Sequence, residues 1–258
     1  MSALLQSQLQ EGILHLQLQR PDAYNALSLE LMDALLNTLQ QQMDNPDLRV
    51  VVISGSGRGF CAGHDLRQLT AQDEPAYHQQ TFNRCAELMQ AIVNFPLPVI
   101  ASVHGVATAA GCQLVASCDL AICADSARFA TPGVNIGLFC STPMVALSRS
   151  LQSKHAMELL LTGELIDAER AAMMGLVNWV VAEAELVSAT QAKAALIAGK
   201  SRATLQLGKA AYRRQQALPL AQAYQLCSQT MVENLQLADA KEGIDAFLHK
   251  RPPQWQHR

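Results

Sequence analysis

The stretch "GSGRGFCAGHDL" at residues 55–66 follows the apolar run "VVVIS" and places four glycines within nine positions. Backbone with so few side chains can approach a ligand closely and direct N–H groups at a negative charge, which suits a phosphate or a developing oxyanion. A dinucleotide site is disfavoured because the spacing departs from GxGxxG and because Glu74 lies in a polar loop, not at a strand end. A glycine turn with a purely structural role and no ligand is a further alternative.

Length and composition describe a globular protein with a large buried core. The chain has 258 residues, 50% hydrophobic and 16% charged, enough for one large domain or for one domain with a small appendage. The formal net charge of −3 and the isoelectric point near 6.1 provide no general basic field. Nucleic acid is therefore disfavoured as a partner.

The cysteines and the N-terminal stretch favour a reducing compartment. The stretch "MSALLQSQLQEG" at 1–12 has no basic leader, so we expect a cytoplasmic protein. The seven cysteines form an odd set without a CxxC pair, which indicates free buried thiols and disfavours both a disulfide framework and a zinc site. They are Cys61, Cys85, Cys112, Cys118, Cys123, Cys140 and Cys227.

Two charge-free segments predict a buried pocket. No Asp, Glu, Lys or Arg lies between Glu87 and Asp119, or from Phe129 to Ser148. Prolines and glycines interrupt both segments, whereas a membrane span would be continuous and apolar. We therefore expect no membrane contact and one enclosed site to which both segments contribute.

The order of the predicted elements indicates an α/β core followed by a helical region. Alternating apolar and polar residues around Glu11 and Gly12 predict a β-hairpin, and Ser28 is predicted to begin a helix with one apolar face. Strand, loop and helix patterns repeat as far as "GLVNWVV" at 175–181, and only helical patterns follow. We expect a core at 1–190 and a helical region at 191–258 that packs on the core or on another subunit.

Five separated stretches carry a family resemblance over nearly the whole chain: "RPDAYNALS" at 20–28, "GRGFCAGHDL" at 57–66, "HGVATAAGCQLVASCDLAICADSARFATP" at 104–132, "LTGELIDAERAAMMGLVN" at 161–178 and "EGIDAFLHKRPPQW" at 242–255. In this order they resemble the crotonase family of enoyl-CoA hydratases and isomerases, and "ATAAGCQLVASCD" at 107–119 resembles one branch of it. The resemblance implies a crotonase-type spiral of strand–loop–helix units. It also implies an acyl-CoA or enoyl-CoA substrate, with no permanently bound cofactor and coenzyme A as part of the substrate.

The resemblance implies an oxyanion hole made by the backbone N–H groups of His64 and Ala110. Fixed amide dipoles stabilise the enolate-like charge on a thioester oxygen without reorganising. Ala110 stands where the family more often has glycine, but its N–H group is retained. The glycine loop is therefore expected to hold a thioester oxygen.

The two glutamates that family hydratases use to move protons are expected to be missing. By resemblance, Gln113 and Gly133 occupy their positions. Gln113 can hydrogen-bond but cannot take a proton at neutral pH, and Gly133 is expected to leave only open space. We therefore expect enoyl-CoA hydration to be weak or replaced by another reaction.

Two other side chains are candidates for chemistry. His64 could titrate near neutral pH, the alternative being an incidental side chain beside a functional amide. By resemblance, Cys140 lines the acyl site, the alternative being a packed, unreactive thiol. Asp65 is expected to anchor the loop rather than to move protons.

The resemblance also implies residues that bind coenzyme A and an oligomeric assembly. The expected CoA contacts are Arg20, Ala23, Ala62, Asp65, Leu66 and Arg67, together with Phe247 and Lys250 from the C-terminal helix of a neighbouring subunit. Cations that only stabilise a solvated helix end are the alternative for "LHKRPP" at 248–253. The family's C-terminal helices imply a homotrimer or a dimer of trimers.

The sequence therefore predicts an acyl-CoA thioester enzyme of the hydratase/isomerase family, a lyase or an isomerase. Two alternatives stay open. One is an acyl-CoA binding protein without turnover, and the other is a different thioester reaction such as decarboxylation or hydrolysis.

Overall fold

A six-stranded sheet forms the centre of the core. The computed structural model of the chain describes residues 4–258; residues 1–3, which begin the N-terminal stretch and the predicted core, lie outside the described residues. The strands are β1 (Leu5–Gln10), β2 (Ile13–Leu18), β3 (Val50–Gly55), β4 (Val99–Val103), β6 (Leu120–Ala124) and β9 (Trp179–Val181), adjacent in that order. β1 and β2 form the predicted hairpin, and the other neighbours pair in parallel.

A second, three-stranded sheet contains β5 (Val106–Thr108), β7 (Arg128–Ala130) and β8 (Ile166–Asp167). The chain alternates between the two sheets, because β5 directly follows β4 and β7 directly follows β6. The loop after β3 joins the same arrangement, since Cys61 forms a parallel bridge with Ala107 of β5. Successive passages of the chain therefore stack as the predicted spiral.

Eleven α-helices lie among the described residues, and none is long and apolar enough to cross a bilayer. Ser28 caps α1 as predicted, its Oγ accepting a hydrogen bond from Leu31 N. The helices are α1 (Leu29–Gln42), α2 (Leu66–Ala71), α3 (Pro75–Val93), α4 (Ala110–Ser117), α5 (Ser141–Ser150), α6 (Ser153–Thr162), α7 (Ala168–Met174), α8 (Leu186–Ala198), α9 (Arg202–Gln215), α10 (Leu220–Gln236) and α11 (Ala238–Leu248).

Both faces of the large sheet are covered. Val51 and Ile53 face a core that includes residues of α1, α3 and α4, while Val50 and Val52 face α8, as the two-residue period of a strand requires. The predicted core boundary at 190/191 falls within α8, where Thr190 Oγ1 lies 2.9 Å from Ser102 Oγ of β4. α8 therefore covers the sheet, and α9–α11 form the C-terminal helical region.

The topology brings two loops to the same edge of the large sheet. The glycine loop follows β3, and the segment leading through β5 into α4 follows β4. Because β3 and β4 are neighbouring parallel strands, their carboxyl ends lie side by side, where open α/β sheets commonly bind ligands.

Candidate active site

Main-chain hydrogen bonds fix the glycine loop to the small sheet. Cys61 N donates to Val106 O at 3.1 Å, and Thr108 N donates to Cys61 O at 2.9 Å. Thr108 Oγ1 also donates to Ala62 O at 3.0 Å. These bonds place residues 61–64 alongside the start of α4.

Two glycines allow the loop and α4 to approach each other. A Cβ atom on Gly111 would lie 2.0 Å from Cys61 O, a distance that no side chain tolerates. A Cβ atom on Gly63 would lie 3.3 Å from Ala110 N, and the φ of +104° at Gly63 also favours glycine. The backbone at 63–64 therefore lies directly against the N-terminus of α4.

The N–H groups of His64 and Ala110 have no acceptor within residues 4–258. The groups around His64 are engaged, because Leu27 N donates to Gly63 O at 2.7 Å and Asp65 N donates to Leu27 O at 3.2 Å. Ala110 is the first residue of α4, where an N–H group has no partner within the helix and lies at the positive end of the helix dipole. Two free donors in neighbouring segments can hold one anionic oxygen.

Ala109 leads the chain into α4 in a strained conformation. Its φ of 49° and ψ of −118° match the first central position of a type II′ turn, which glycine normally occupies. The conformation is maintained from outside the helix, since Ala109 N donates to Ala130 O of β7 at 2.9 Å. The next N–H group, that of Ala110, makes no such bond to the small sheet.

Gln113 is a buried polar side chain one turn into α4. Only 3% of its surface is exposed, and Cys85 Sγ of α3 donates to its Oε1 at 3.8 Å. An amide at this position can donate and accept hydrogen bonds but does not titrate.

The open space expected beside Gly133 is absent. Gly133 lies in the short 3-10 helix Pro132–Ile136, and a Cβ atom there would lie 2.3 Å from Leu138 O and 2.8 Å from Cys140 Sγ. The chain turns back tightly at this point, because Leu138 N donates to Gly133 O at 2.9 Å. The expectation was wrong because the following residues fill the volume that a side chain would need.

The expectation that His64 titrates near neutral pH is also wrong. Its ring packs edge-to-face on Phe82 of α3 with the centroids 5.1 Å apart, and its Nε2 atom is buried without a hydrogen-bond partner. Burial lowers the pKa of His64 to about 4, because the charged imidazolium would lose its hydration. His64 is therefore neutral at physiological pH.

The thiols near the candidate site are also kept neutral by burial. Cys140 precedes α5 with 7% of its surface exposed, and burial raises the pKa of its thiol. Burial raises the pKa of Cys61, Cys85 and Cys112 to about 12. These cysteines are free and protonated at neutral pH. A nucleophilic or basic role would require the thiolate.

Asp65 and Arg20 hold the glycine loop together. Asp65 caps α2 by accepting hydrogen bonds from Arg67 N and Gln68 N, and its Oδ2 lies 2.7 Å from Arg20 Nη2. Burial opposes ionisation of Asp65, but the hydrogen bond from Arg20 and those from the helix N–H groups hold its pKa below the ordinary value. Arg20 Nη1 also donates to Ala26 O at 2.5 Å, so its guanidinium is committed to the loop.

The other residues expected to bind coenzyme A lie in two places. Ala23 and Ala62 are in the loop region, where their N–H groups already donate to Arg20 O and Tyr24 O. Leu66 is 48% exposed, and Arg67 beside it is exposed as well. Phe247 is 82% exposed and lies with Lys250 at the end of α11, which packs against α9 and α10.

Two residues of α3 that contact the candidate site were not predicted: Phe82 packs on His64, and Cys85 donates to Gln113. Their spacing is the only signal that the sequence offers. They are three residues apart and lie on the same side of α3, where i and i+3 positions are neighbours.

Comparison with known proteins identifies close relatives along nearly the whole chain. The family model for enoyl-CoA hydratase/isomerase matches residues 8–258. Enoyl-CoA hydratase domain-containing protein 3, mitochondrial, of Xenopus laevis is 49% identical over 250 residues, 97% of this chain and 85% of that protein. The crystal structure of the human enoyl-CoA hydratase domain-containing protein 3 matches with a TM-score of 0.96 and 48% identity, covering 98% of this chain and 100% of that one. An enoyl-CoA hydratase structure from Mycobacterium smegmatis matches with a TM-score of 0.96 and 46% identity, covering 98% and 99%.

These matches confirm the crotonase-type fold and identify the branch that "ATAAGCQLVASCD" resembles as enoyl-CoA hydratase domain-containing protein 3. They also correct one prediction. The relatives from Xenopus laevis, Homo sapiens and Rattus norvegicus are named as mitochondrial proteins, so the expected cytoplasmic location is wrong.

Proposed function

Because the chain belongs to the enoyl-CoA hydratase/isomerase family, we propose that it is an acyl-CoA thioester enzyme that stabilises an enolate-like oxygen between the N–H groups of His64 and Ala110. The observation that carries the proposal is this pair of donors, free of any acceptor within residues 4–258. Such a donor typically contributes about 10²–10³ in rate. The mitochondrion, named for the vertebrate relatives, is the compartment that we propose.

Hydration of an enoyl-CoA is expected to be weak. Adding water across a double bond needs groups that take and return protons. Gln113 does not titrate, and Gly133 has neither a side chain nor room for one. The low pKa of His64 and the raised pKa of Cys140 leave these side chains neutral near pH 7.

The same lack of titrating groups favours decarboxylation as a second candidate reaction. In a malonyl-type thioester, the C–C bond to the carboxylate breaks, its electron pair enters the thioester as an enolate, and CO₂ leaves. The enolate carbon then takes one proton from water. Bond cleavage requires no acid or base, only a site that stabilises the enolate oxygen, which the amides of His64 and Ala110 would supply.

Coenzyme A would be held by local groups at the surface. Arg67 is exposed, and its guanidinium makes no ion pair within residues 4–258, whereas that of Arg20 is committed to Asp65. Leu66 offers an exposed apolar surface beside it. We assign the phosphates to Arg67 and Lys250 and the adenine to Phe247, the last two supplied by a neighbouring subunit.

Two groups of exposed apolar residues support a trimer or a dimer of trimers. One is formed by residues of 136–165 and the other by residues of α10 and α11: Ile136, Leu138, Val145, Leu161 and Leu165 in the first, and Leu220, Tyr224, Met231, Phe247 and Leu248 in the second. Different surfaces that meet head to tail form a closed ring when the rotation closes. Sedimentation that gives a monomer at micromolar concentration would contradict this assembly.

Calorimetry with acetoacetyl-CoA and with free acetoacetate tests the thioester site. We expect binding of the CoA thioester and none of the free acid, with thermal stabilisation by the thioester because it binds only the folded state. Absence of binding of both acetoacetyl-CoA and butyryl-CoA at millimolar ligand would refute the function. Binding without turnover of crotonyl-CoA, methylmalonyl-CoA or 3-hydroxybutyryl-CoA would indicate a binding protein.

A further inference from the structure

The amide of Gln113 is held in one orientation. The Cys85 thiol donates to Oε1, which leaves the two N–H bonds of Nε2 as the free end of the side chain. Nε2 has no acceptor within residues 4–258 and, unlike His64 Nε2, it is not sealed from solvent. Gln113 is 97% buried, and its Nε2 is therefore an unpaired hydrogen-bond donor that retains some access to solvent.

The helix geometry places this donor beside the two main-chain amides. Gln113 follows Ala110 by three residues, and side chains in an α-helix lean towards its N-terminus, over the residue three positions earlier. A thioester oxygen bound by the N–H groups of His64 and Ala110 would therefore put the next atoms of the acyl chain near Gln113 Nε2.

We propose that Gln113 selects CoA thioesters that carry an oxygen acceptor on C3, either a malonyl-type carboxylate or a 3-oxo carbonyl, and that Cys85 is the positioning residue that orients its amide. This inference rests on the proposed function, because it assumes that the thioester oxygen binds at His64 and Ala110. A simple acyl or enoyl chain offers no acceptor and leaves a buried N–H group unpaired, which disfavours its binding. A carboxylate makes the stronger hydrogen bond because it is charged.

The neutral surroundings of Gln113 agree with a donor role. Cys85 is fully buried, and burial raises its pKa to about 12, so it remains an S–H donor at neutral pH. Without this thiol, the amide is free to rotate and to present Oε1, which repels an oxygen on the ligand. Serine at position 85 keeps a donor, and alanine does not.

Calorimetry with butyryl-CoA, acetoacetyl-CoA and malonyl-CoA tests the role of Gln113. Wild-type protein is expected to bind at least one oxygen-bearing thioester about 10-fold more tightly than butyryl-CoA. Gln113→Leu should abolish this preference in a folded protein that still binds butyryl-CoA. At a pH where the new carboxyl group is ionised, Gln113→Glu should bind malonyl-CoA more weakly than butyryl-CoA, because two carboxylates repel. A preference for malonyl-CoA alone identifies the carboxylate, and equal affinity for all three thioesters in wild-type protein overturns the inference.

Binding of butyryl-CoA separates the two proposals. If wild-type protein binds butyryl-CoA without preferring either oxygen-bearing thioester, the thioester site stands and the role of Gln113 is refuted. If no thioester binds at all, the proposed function itself is refuted.

Variants at Cys85 test the positioning role. Cys85→Ala should reduce the preference for the oxygen-bearing thioester by at least about 3-fold with little change for butyryl-CoA, and Cys85→Ser should retain it. Cys118→Ala is the matched control, since Cys118 is also a buried thiol but donates to Leu114 O at 3.3 Å. An unchanged preference in folded Cys85→Ala, or an equal loss in Cys118→Ala, overturns the positioning role.

Discussion

The two halves of the candidate site are built from different parts of the polypeptide. One half consists of main-chain N–H groups, those of His64 and Ala110, whose positions depend on Gly63 and Gly111. The other half consists of the side-chain positions 113 and 133, where neither residue is a carboxylate. A main-chain donor survives a change of side chain, whereas proton transfer is lost with the side chain that performs it. Affinity for a thioester oxygen and the ability to hydrate an enoyl-CoA can therefore separate within one fold.

Gly111→Ala tests the main-chain half and should have the largest effect. The new Cβ would lie 2.0 Å from Cys61 O, which cannot retreat without weakening the bonds to Val106 and Thr108. Overpacking of this kind typically costs 1–3 kcal/mol, and we expect about 3 kcal/mol here together with loss of acyl-CoA binding. Chemical denaturation and calorimetry measure the two effects.

Gly208→Ala is the matched control for this change. Gly208 lies within α9, and no heavy atom is within 4 Å of its added Cβ. The substitution should raise the free energy of unfolding by up to about 1 kcal/mol, because alanine is the better helix former, and should leave binding intact. Wild-type affinity in Gly111→Ala would show that the thioester does not bind between the loop and α4.

The burial of His64 predicts a loss of stability in acid. Its pKa is about 4 in the folded protein, against an ordinary value of 6.5 in the unfolded chain. As the pH falls from 6.5 to 4, the unfolded state binds a proton that the folded state does not, so the free energy of unfolding decreases. His64→Phe keeps a ring against Phe82 and removes the proton site.

The difference between wild type and His64→Phe should reach roughly 2–3 kcal/mol over the interval from pH 7 to pH 4. Urea denaturation at several pH values measures this difference. Above pH 7 the free energies of unfolding of the two proteins should change with pH in parallel. Parallel curves throughout would mean that His64 is hydrated in solution and free to titrate.

Gln113→Glu tests the side-chain half. One carboxylate beside the proposed oxyanion site should raise crotonyl-CoA hydration by about 10-fold to 10²-fold, at or below the usual contribution of one acid–base group. The gain should increase with pH, because burial raises the pKa of a carboxyl group. Gln113→Leu is the control and should give no gain.

Adding Gly133→Glu to the Gln113→Glu variant should lower the free energy of unfolding without placing a second carboxylate in the candidate site. Its Cβ would lie 2.3 Å from Leu138 O, so the backbone must shift before the side chain can be accommodated. Strong native hydration that survives Gln113→Leu would instead place the proton-transferring group elsewhere.

Local pattern was enough to predict much of the fold, whereas the residues of the candidate site were predicted from the family resemblance. The hairpin and the Ser28 cap follow from alternation and capping within a few residues. The properties of the pocket depend instead on contacts between distant residues. His64 packs against Phe82 and burial lowers its pKa, and Cys85 on α3 donates a hydrogen bond to Gln113 on α4. No pattern within one segment reports such contacts.

Gly133 illustrates the same limit at short range. Its lack of space comes from the turn that brings Leu138 O and Cys140 Sγ back against it, five and seven residues later. A glycine in the sequence indicates only that a side chain is missing, and the surrounding backbone decides whether one would fit.

Ala109→Gly should produce the smallest effect and the only stabilisation within the pocket. The φ of 49° and ψ of −118° at Ala109 strain a residue with a Cβ atom, at a typical cost of about 1–3 kcal/mol, whereas glycine adopts them freely. Glycine also gives the unfolded chain more freedom, which offsets roughly 0.5–1 kcal/mol of the gain. We expect a net increase of about 1 kcal/mol in the free energy of unfolding. Ala182→Gly is the control, because Ala182 is exposed, precedes a short helix and has an ordinary φ of −57°, so there glycine should destabilise. Opposite signs for the two substitutions in parallel denaturation experiments would confirm strain at the start of α4, and destabilisation by both would mean that Ala109 relaxes in solution and that the Ala110 N–H group points elsewhere.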